Sequence, residues 1–189
     1  MKFPFRSANP PKAHSPSQAE RATYAAYLRC LQIGDNAAWA QFVSEWSPYL
    51  YNYVRAHLRD ADEVEDVLGD ILLGIVQGIQ SFDGNAALST FVYSIAYRKV
   101  VDCWRRTRIT SELPEELSTA DSTRSFEIYE TLAELSEDAR QALILRYYVG
   151  LNVKEVAIVM VRSYKATESL LSRGRHQFRN AFLEHSQDD

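Results

Sequence analysis

A chain of 189 residues, 46% hydrophobic and 24% charged, has the size and composition of a globular protein of one or two domains. Seven glycines and six prolines favour long helices over a turn-rich sheet fold, and no run approaches the roughly 18 apolar residues of a membrane-spanning helix. The formal net charge of −4 is modest, but it hides strong segregation along the chain.

The first twenty residues, MKFPFRSANPPKAHSPSQAE, contain Pro4, Pro10, Pro11 and Pro16 and lack the apolar stretch of a signal peptide. Residues 1–23 read as a flexible arm. Tyr24, Tyr27, Leu28 and Leu31 make a first helical stripe that stops at Gly34. Asp35 and Asn36 can cap a second helix, continued by Trp39, Phe42, Val43 and Trp46. Ser47-Pro48 reads as a fresh N-cap with proline at the first helical position, followed by a stripe of Tyr49, Leu50, Tyr53, Val54 and Leu58. The next segment places Val64, Val67, Leu68, Ile71, Leu72, Ile75 and Val76 on one buried face. Its acids gather in the first turns, where they favour the helix N-terminus. Asp83-Gly84-Asn85 is a turn signal.

STFVYSIAYRKVVDCWRR (89–106) is then a helix both aromatic and basic. Tyr93, Tyr97, Val100 and Trp104 share one side and are expected in the core; Arg98, Arg105 and Arg106 lie opposite, with Lys99 at the edge. Residues 109–128 lose the pattern, are acidic, contain Pro114 and read as a linker. Helical spacing resumes with Leu132, Leu135, Ala139, Ala142, Leu143 and Tyr147, and Gly150 can end that helix. No period-two pattern persists. The expected fold is all-α: two helical domains, 24–108 and 129–183, with a flexible linker between them and a tail over 184–189.

Acids and bases alternate in blocks. Residues 60–70 hold six acids and no base; 98–108 hold five bases against one acid; 110–138 hold nine acids against one base; 162–179 hold five bases against one acid. Two basic patches separated by acidic stretches suit two contacts with one polyanion, or two solvated helix faces. Cys30 and Cys103 stand alone, as in a reducing cytoplasm. The four histidines have no metal-ligand spacing, and there is no Gly-rich phosphate loop or nucleophile elbow. No catalytic residue, metal or cofactor is expected, and the chain is not expected to be an enzyme.

LNVKEVAIVMVRSYKATESLLSRGRHQF (151–178) has the proportions of a helix-turn-helix. Val156, Ala157 and Met160 face inward from its first helix; Thr167, Leu171, Gly174 and Phe178 do so from its second. Ser163, Lys165, Glu168, Ser169 and Ser172 are the outward candidates for base edges, with Arg173, Arg175 and Arg179 for phosphates. The alternative is a helical hairpin with a solvated basic face. Val161 in the turn is ill suited to a positive φ, and Glu168 repels phosphate although it can accept from cytosine.

Taken in order, segments 34–58, 62–106 and 132–160 resemble the extracytoplasmic-function (ECF) group of the sigma-70 family of bacterial RNA polymerase subunits. The resemblance covers about residues 24–183. It implies an alternative sigma factor that binds core RNA polymerase and directs initiation at promoter DNA. The first domain would resemble region 2, for the −10 element, and the second region 4, for the −35 element. Asn85, Ser89 and Thr90 would capture bases of the opened strand, and Arg98, Lys99, Arg105 and Arg106 would hold the backbone. Asp66, Gly69 and Asp70 would face the polymerase, unless the acids are simply helix N-terminal charges. The family also implies an anti-sigma partner, a cytoplasmic location and no membrane insertion. Some residues depart from the pattern. Gly69 and Gly74 stand where longer polar residues are usual, Val161 replaces the turn glycine, and Glu168 and Leu170 replace basic residues. They keep open a sigma-like adaptor or decoy that binds an anti-sigma factor or polymerase without initiating transcription.

Overall fold

The computed structural model describes residues 18–58, 60–110 and 123–185, and every regular element among them is helical. Parts of the expected arm, linker and tail, at 1–17, 111–122 and 186–189, lie outside the described residues.

Helix α1 (Gln18–Gln32) begins earlier than the apolar stripe alone suggests and closes in a Schellman turn. There the amide of Asp35 donates to the Cys30 carbonyl, and Gly34 adopts φ +80°. Asp35 then caps α2 (Asn36–Arg55): its carboxylate accepts from the Ala38 amide at 2.8 Å. The expected break at Ser47-Pro48 does not occur, because α2 runs through Pro48. Ala38, Phe42, Trp46, Leu50, Tyr53 and Val54 form one unbroken buried stripe across the proline. Burying each large apolar side chain contributes about 1.5–3 kcal/mol, so the stripe outweighs the lost amide donor.

Helix α3 (Ala61–Gly78) starts on Asp60, whose carboxylate accepts from the amides of Asp62 and Glu63, both at 2.9 Å. Val64, Val67, Ile71 and Ile75 are buried as expected, with Leu68 and Leu72 half-buried. Val76 is the exception, 44% exposed at the edge of the stripe. After a 3-10 turn (Ile79–Ser81), the Gln32 side-chain amide donates to the carbonyls of Ile79 and Phe82, tying α1 to the end of α3. Helix α4 (Leu88–Thr110) lies against α3 at close range. A Cβ at Gly74 would stand 2.9 Å from Ile95 Cγ2, and one at Gly78 would stand 3.1 Å from Phe91 Cζ. The glycine at 74 is thus a packing requirement of this pair.

A column of rings links α2 to α4. It passes from Trp39 to Phe42, Trp46, Tyr93, Tyr53, His57 and Trp104, with successive centroids 4.8 to 6.3 Å apart. Mostly edge-on or tilted, such pairs add about 0.5–1.5 kcal/mol each beyond area burial.

Helix α5 (Thr123–Glu134) takes in residues 123–128, which the loss of pattern had placed in the linker. Ile128, Leu132 and Leu135 are all buried, and this stripe fixes the helix. Helix α6 (Glu137–Leu143) is capped by Ser136 and continues as a π-type turn (Ile144–Tyr148) before Gly150 at φ +83°. Arg140 donates to the carbonyls of Leu132 and Ala133 at 2.8 and 2.6 Å, closing the end of α5. Helix α7 (Val153–Val159) opens with a reciprocal capping box of Asn152 and Glu155. Helix α8 (Tyr164–His185) packs across α5, α6 and α7, passing α6 so closely that a Cβ at Gly174 would meet Ala139 Cβ at 3.3 Å.

The two halves share one core. Helix α4 packs on α7, the Tyr53 hydroxyl donates to Gln141 Oε1 at 2.6 Å, and the Arg140 guanidinium lies 5.7 Å from the Trp104 ring centroid.

The glycines of α3 differ in kind. Nothing lies within 4 Å of a Cβ at Gly69, whereas Gly74 is crowded by a branched side chain. Gly69→Ala is expected to raise unfolding free energy by about 0.5–1 kcal/mol, and Gly74→Ala to lower it by about 1–3 kcal/mol. Urea denaturation of the two variants checks the opposite signs.

Candidate nucleic-acid and polymerase interfaces

The outer edge of α4 carries the first basic patch. Arg98, Arg105 and Arg106 are exposed while Tyr93 and Val100 are fully buried and Tyr97 and Trp104 half-buried. The helix therefore turns its rings inward and its guanidinium groups outward, as its spacing requires. Arg98 Nε donates back to the Ser94 carbonyl at 3.1 Å. Arg105 lies 3.8 Å from Asp102, with both side chains mostly in solvent, so this contact orients weakly. Lys99 is turned the other way, 3.5 Å from Asp70 on α3. A residue expected at DNA and one expected at polymerase thus meet each other.

The three loop candidates separate. Asn85 is exposed, and its backbone and side-chain amides donate to the Asp83 carboxylate at 3.0 and 2.6 Å. These bonds hold the Asp83 carboxyl below the usual range and make it a fixed anion in the turn. Ser89 is half-buried. Thr90 is only 2% exposed and faces the core, three residues before Tyr93 on the same side of α4, so its hydroxyl is not available to a base.

On α3, Asp66 and Gly69 are exposed and Asp70 is half-buried. Leu73, 55% exposed, follows at the same helical spacing and adds an apolar contact that composition alone did not single out. Its position seven residues after Asp66 was the available signal.

The second patch is the outer face of α8. Lys165, Glu168, Ser169, Ser172, Arg173 and Arg175 are all exposed, within an arc of about 160° given 3.6 residues per turn. Thr167, Leu170, Leu171, Gly174 and Phe178 are buried behind them. Ser163, although exposed, is a cap: its hydroxyl oxygen accepts from the Ala166 amide at 3.2 Å. Tyr164, 46% exposed in the first turn, was missed by the sequence reading. It hydrogen-bonds Glu168 one turn on, which raises the Tyr164 hydroxyl above its usual range and gives the lone acid of this face a partner. Its i to i+4 spacing from Glu168 was the legible sign.

Between α7 and α8 the chain turns through a Schellman motif. The amides of Val161 and Arg162 donate to the carbonyls of Ile158 and Ala157 at 3.1 and 2.9 Å. The motif requires a left-handed residue, and Val161 supplies it at φ +53° while 85% exposed. Arg162 next to it pairs with Asp138 at 2.5 Å, bracing the turn against α6.

Among the described residues no group of three or more His, Cys, Asp or Glu side chains is placed to hold a metal ion. No helix among them is long and apolar enough to cross a membrane.

An all-helical chain with a basic ridge on α4 and a helix-turn-helix in α7 and α8 has the architecture of a two-part DNA-reading protein. Residues 42–109 match the model of Sigma-70 region 2, and residues 125–177 that of Sigma-70 region 4. The chain belongs to the sigma-70 family, in its extracytoplasmic-function group. It is 24% identical to the ECF RNA polymerase sigma-E factor of Escherichia coli K12, over 86% of this chain and 95% of that protein. It is 23% identical to the ECF RNA polymerase sigma factor SigX of Bacillus subtilis, over 68% of this chain and 73% of that one. In structure it is similar to CnrH, solved in complex with the cytosolic domain of CnrY. The TM-score is 0.67 and the identity 21%, over 85% of this chain and 96% of that chain. It is also similar to RpoE of Bartonella quintana, solved with the anti-sigma factor NepR. There the TM-score is 0.62 and the identity 20%, over 75% and 94% of the two chains.

The turn yields a prediction. A β-branched residue in the left-handed region costs about 1–2 kcal/mol, and Val161 recovers little of it by burial. Val161→Gly is expected to stabilise the protein by about 1 kcal/mol after the entropy of glycine is counted. The chemical-denaturation midpoint should rise with an unchanged slope.

Proposed function

We propose that this chain is an alternative sigma factor that converts core RNA polymerase into a promoter-specific holoenzyme and itself carries out no covalent chemistry. The observation that carries this reading is the order of two exposed basic faces. The α4 edge lies within the residues matched to region 2, and the α8 face lies within those matched to region 4. We assign the −10 element to Arg98, Arg105 and Arg106 with Asn85 and Ser89, and the −35 element to Lys165, Glu168, Ser169, Ser172, Arg173 and Arg175. Asp66, Gly69 and Leu73 would meet the polymerase, with Asp70 positioned by Lys99. The functional divisions are 24–108 and 129–183, and the site of action is the cytoplasm.

Glu168 gives the second face a preference. Held by Tyr164, its carboxylate suits the exocyclic amine of cytosine and disfavours a bare phosphate. The likeness to chains solved with partner proteins supports an anti-sigma factor as the regulator.

Transcription in vitro tests this reading. Purified protein, sigma-free core polymerase and fragmented host DNA should give discrete RNA 5′ ends that share upstream elements. Stable binding to core with no new starts would favour the adaptor or decoy. Arg105→Glu combined with Arg106→Glu is expected to lower promoter affinity at least tenfold, roughly the effect of removing several phosphate contacts, while core binding stays near wild type. Equal loss of both would contradict the assignment of the α4 edge.

A further inference from the structure

The junction between the two halves holds a buried group that the proposed function does not use. His57, directly after α2, is 5% exposed, and both of its ring nitrogens lack a hydrogen-bond partner. Its ring meets Tyr53 edge-on at 4.8 Å and Trp104 at 5.5 Å. From the other half, Arg140 lies across Trp104 and acts on His57 as a like charge.

Among the described residues, no group around His57 takes a hydrogen bond from its ring nitrogens. Helix α2 offers the Tyr53 hydroxyl, already donating to Gln141. Helix α4 offers Trp104, whose indole N–H donates to the His57 carbonyl at 3.4 Å, and the buried Tyr93 and half-buried Tyr97 hydroxyls beyond. Helix α6 offers the Arg140 guanidinium, held in place by the Leu132 and Ala133 carbonyls. The nearby carboxylate that acts on Tyr97, Asp138, is paired with Arg162.

We propose that the packing of the two halves is a pH-sensitive latch: His57 admits the closed arrangement only as neutral imidazole, and its protonation drives the halves apart. The contacts that cross the junction combine the apolar packing of α4 on α7 with a polar set beside His57. They include Tyr53 to Gln141 and Arg140 on Trp104, and buried polar atoms at Gln141 Nε2 and Tyr93 Oη remain unpartnered beside them. Polar atoms left unsatisfied there subtract from what the apolar packing gains on closure. The outward faces of α4 and α8 are exposed even when the halves are closed. The latch therefore sets the separation of the two reading faces, not access to each.

The sign follows from linkage. Burial first, and Arg140 second, hold the His57 imidazole well below the ordinary histidine range in the closed form. Once the halves part, water reaches the ring and its affinity for a proton returns towards an ordinary value near 6.5. Closure is fully favoured above that value and is lost as pH falls below it. The open-to-closed ratio rises up to tenfold for each pH unit until the closed-state value is passed.

Small-angle scattering of the full-length protein between about pH 8 and pH 5.5 tests this without polymerase or DNA. A failure here is thereby separate from a failure of the sigma assignment. The wild type is expected to keep one radius of gyration above about pH 7 and to expand below about pH 6.5; His57→Phe should stay compact throughout. Equal expansion of both proteins, or none in the wild type, would overturn the latch. An NMR titration of the His57 ring supplies a second measurement that stands if the Phe variant does not fold. Gln141→Ala loosens the junction from the other side, so the His57 midpoint should rise towards the ordinary histidine value. An unchanged midpoint would equally overturn the proposal.

Discussion

The column of rings from Trp39 to Trp104 is the constraint on which the other features of the first half depend. It fixes the rotation of α4 about its own axis, because Tyr93 must enter between Trp46 and Tyr53 while Trp104 meets His57. A helix locked by its rings on one side has no freedom in what it shows on the other. Arg98, Arg105 and Arg106 are exposed because the aromatic residues are not. Charge would not choose this orientation by itself, since exposed guanidinium groups gain little from any particular direction. The hydrophobic side decides, and the basic edge follows.

The close contact of α3 with α4 adds a second constraint. Gly74 and Gly78 let Ile95 and Phe91 approach the α3 backbone, which also brings Lys99 within 3.5 Å of Asp70. The departure from family pattern at position 74 is therefore compensated by the shape of the neighbouring helix. Position 69 has no such compensation, being open to solvent. Two glycines five residues apart on one helix thus have different physical causes, and only Gly69 lies open on the surface.

Periodicity in the sequence was sufficient where burial follows a single helix. It identified Val64, Val67, Ile71 and Ile75 on α3, and Val156, Ala157, Met160, Thr167, Leu171 and Phe178 in the helix-turn-helix, all buried. It also located the strain at Val161, since a left-handed turn residue was expected where the chain offers a β-branched one. It failed where tertiary contacts override local signals. Ser47-Pro48 carries a strong start signal, yet the ring column and Leu50 hold α2 continuous through it. Thr90 looked like a loop hydroxyl because the start of α4 could not be fixed to the residue. With the helix beginning at Leu88, Thr90 falls on the Tyr93 side and is buried. The acidic segment before residue 129 masked the start of α5, where Ile128 alone represents the stripe until Leu132. His57 was one of four scattered histidines; only the fold brings it against Trp104 from α4 and towards Arg140 from α6.

Around His57 the junction between the halves differs in chemistry from both of their interiors. The interiors are apolar and close-packed, with Val64, Ile71, Ala142 and Leu145 fully buried. At the junction stand a histidine, a glutamine, two tyrosines and an arginine, several with unsatisfied atoms. Such a contact gains less free energy per unit area than a core does, because each buried polar atom forfeits its hydration. The proposed function, in which the two exposed basic faces meet separate stretches of one promoter, calls for halves that fold firmly and can part. A wholly apolar junction would favour closure more strongly, whereas a fully hydrated one would not close. Partly satisfied polar groups around the end of the ring column temper that apolar packing, and they do so beside the same helix, α4, whose outer edge carries the exposed arginines.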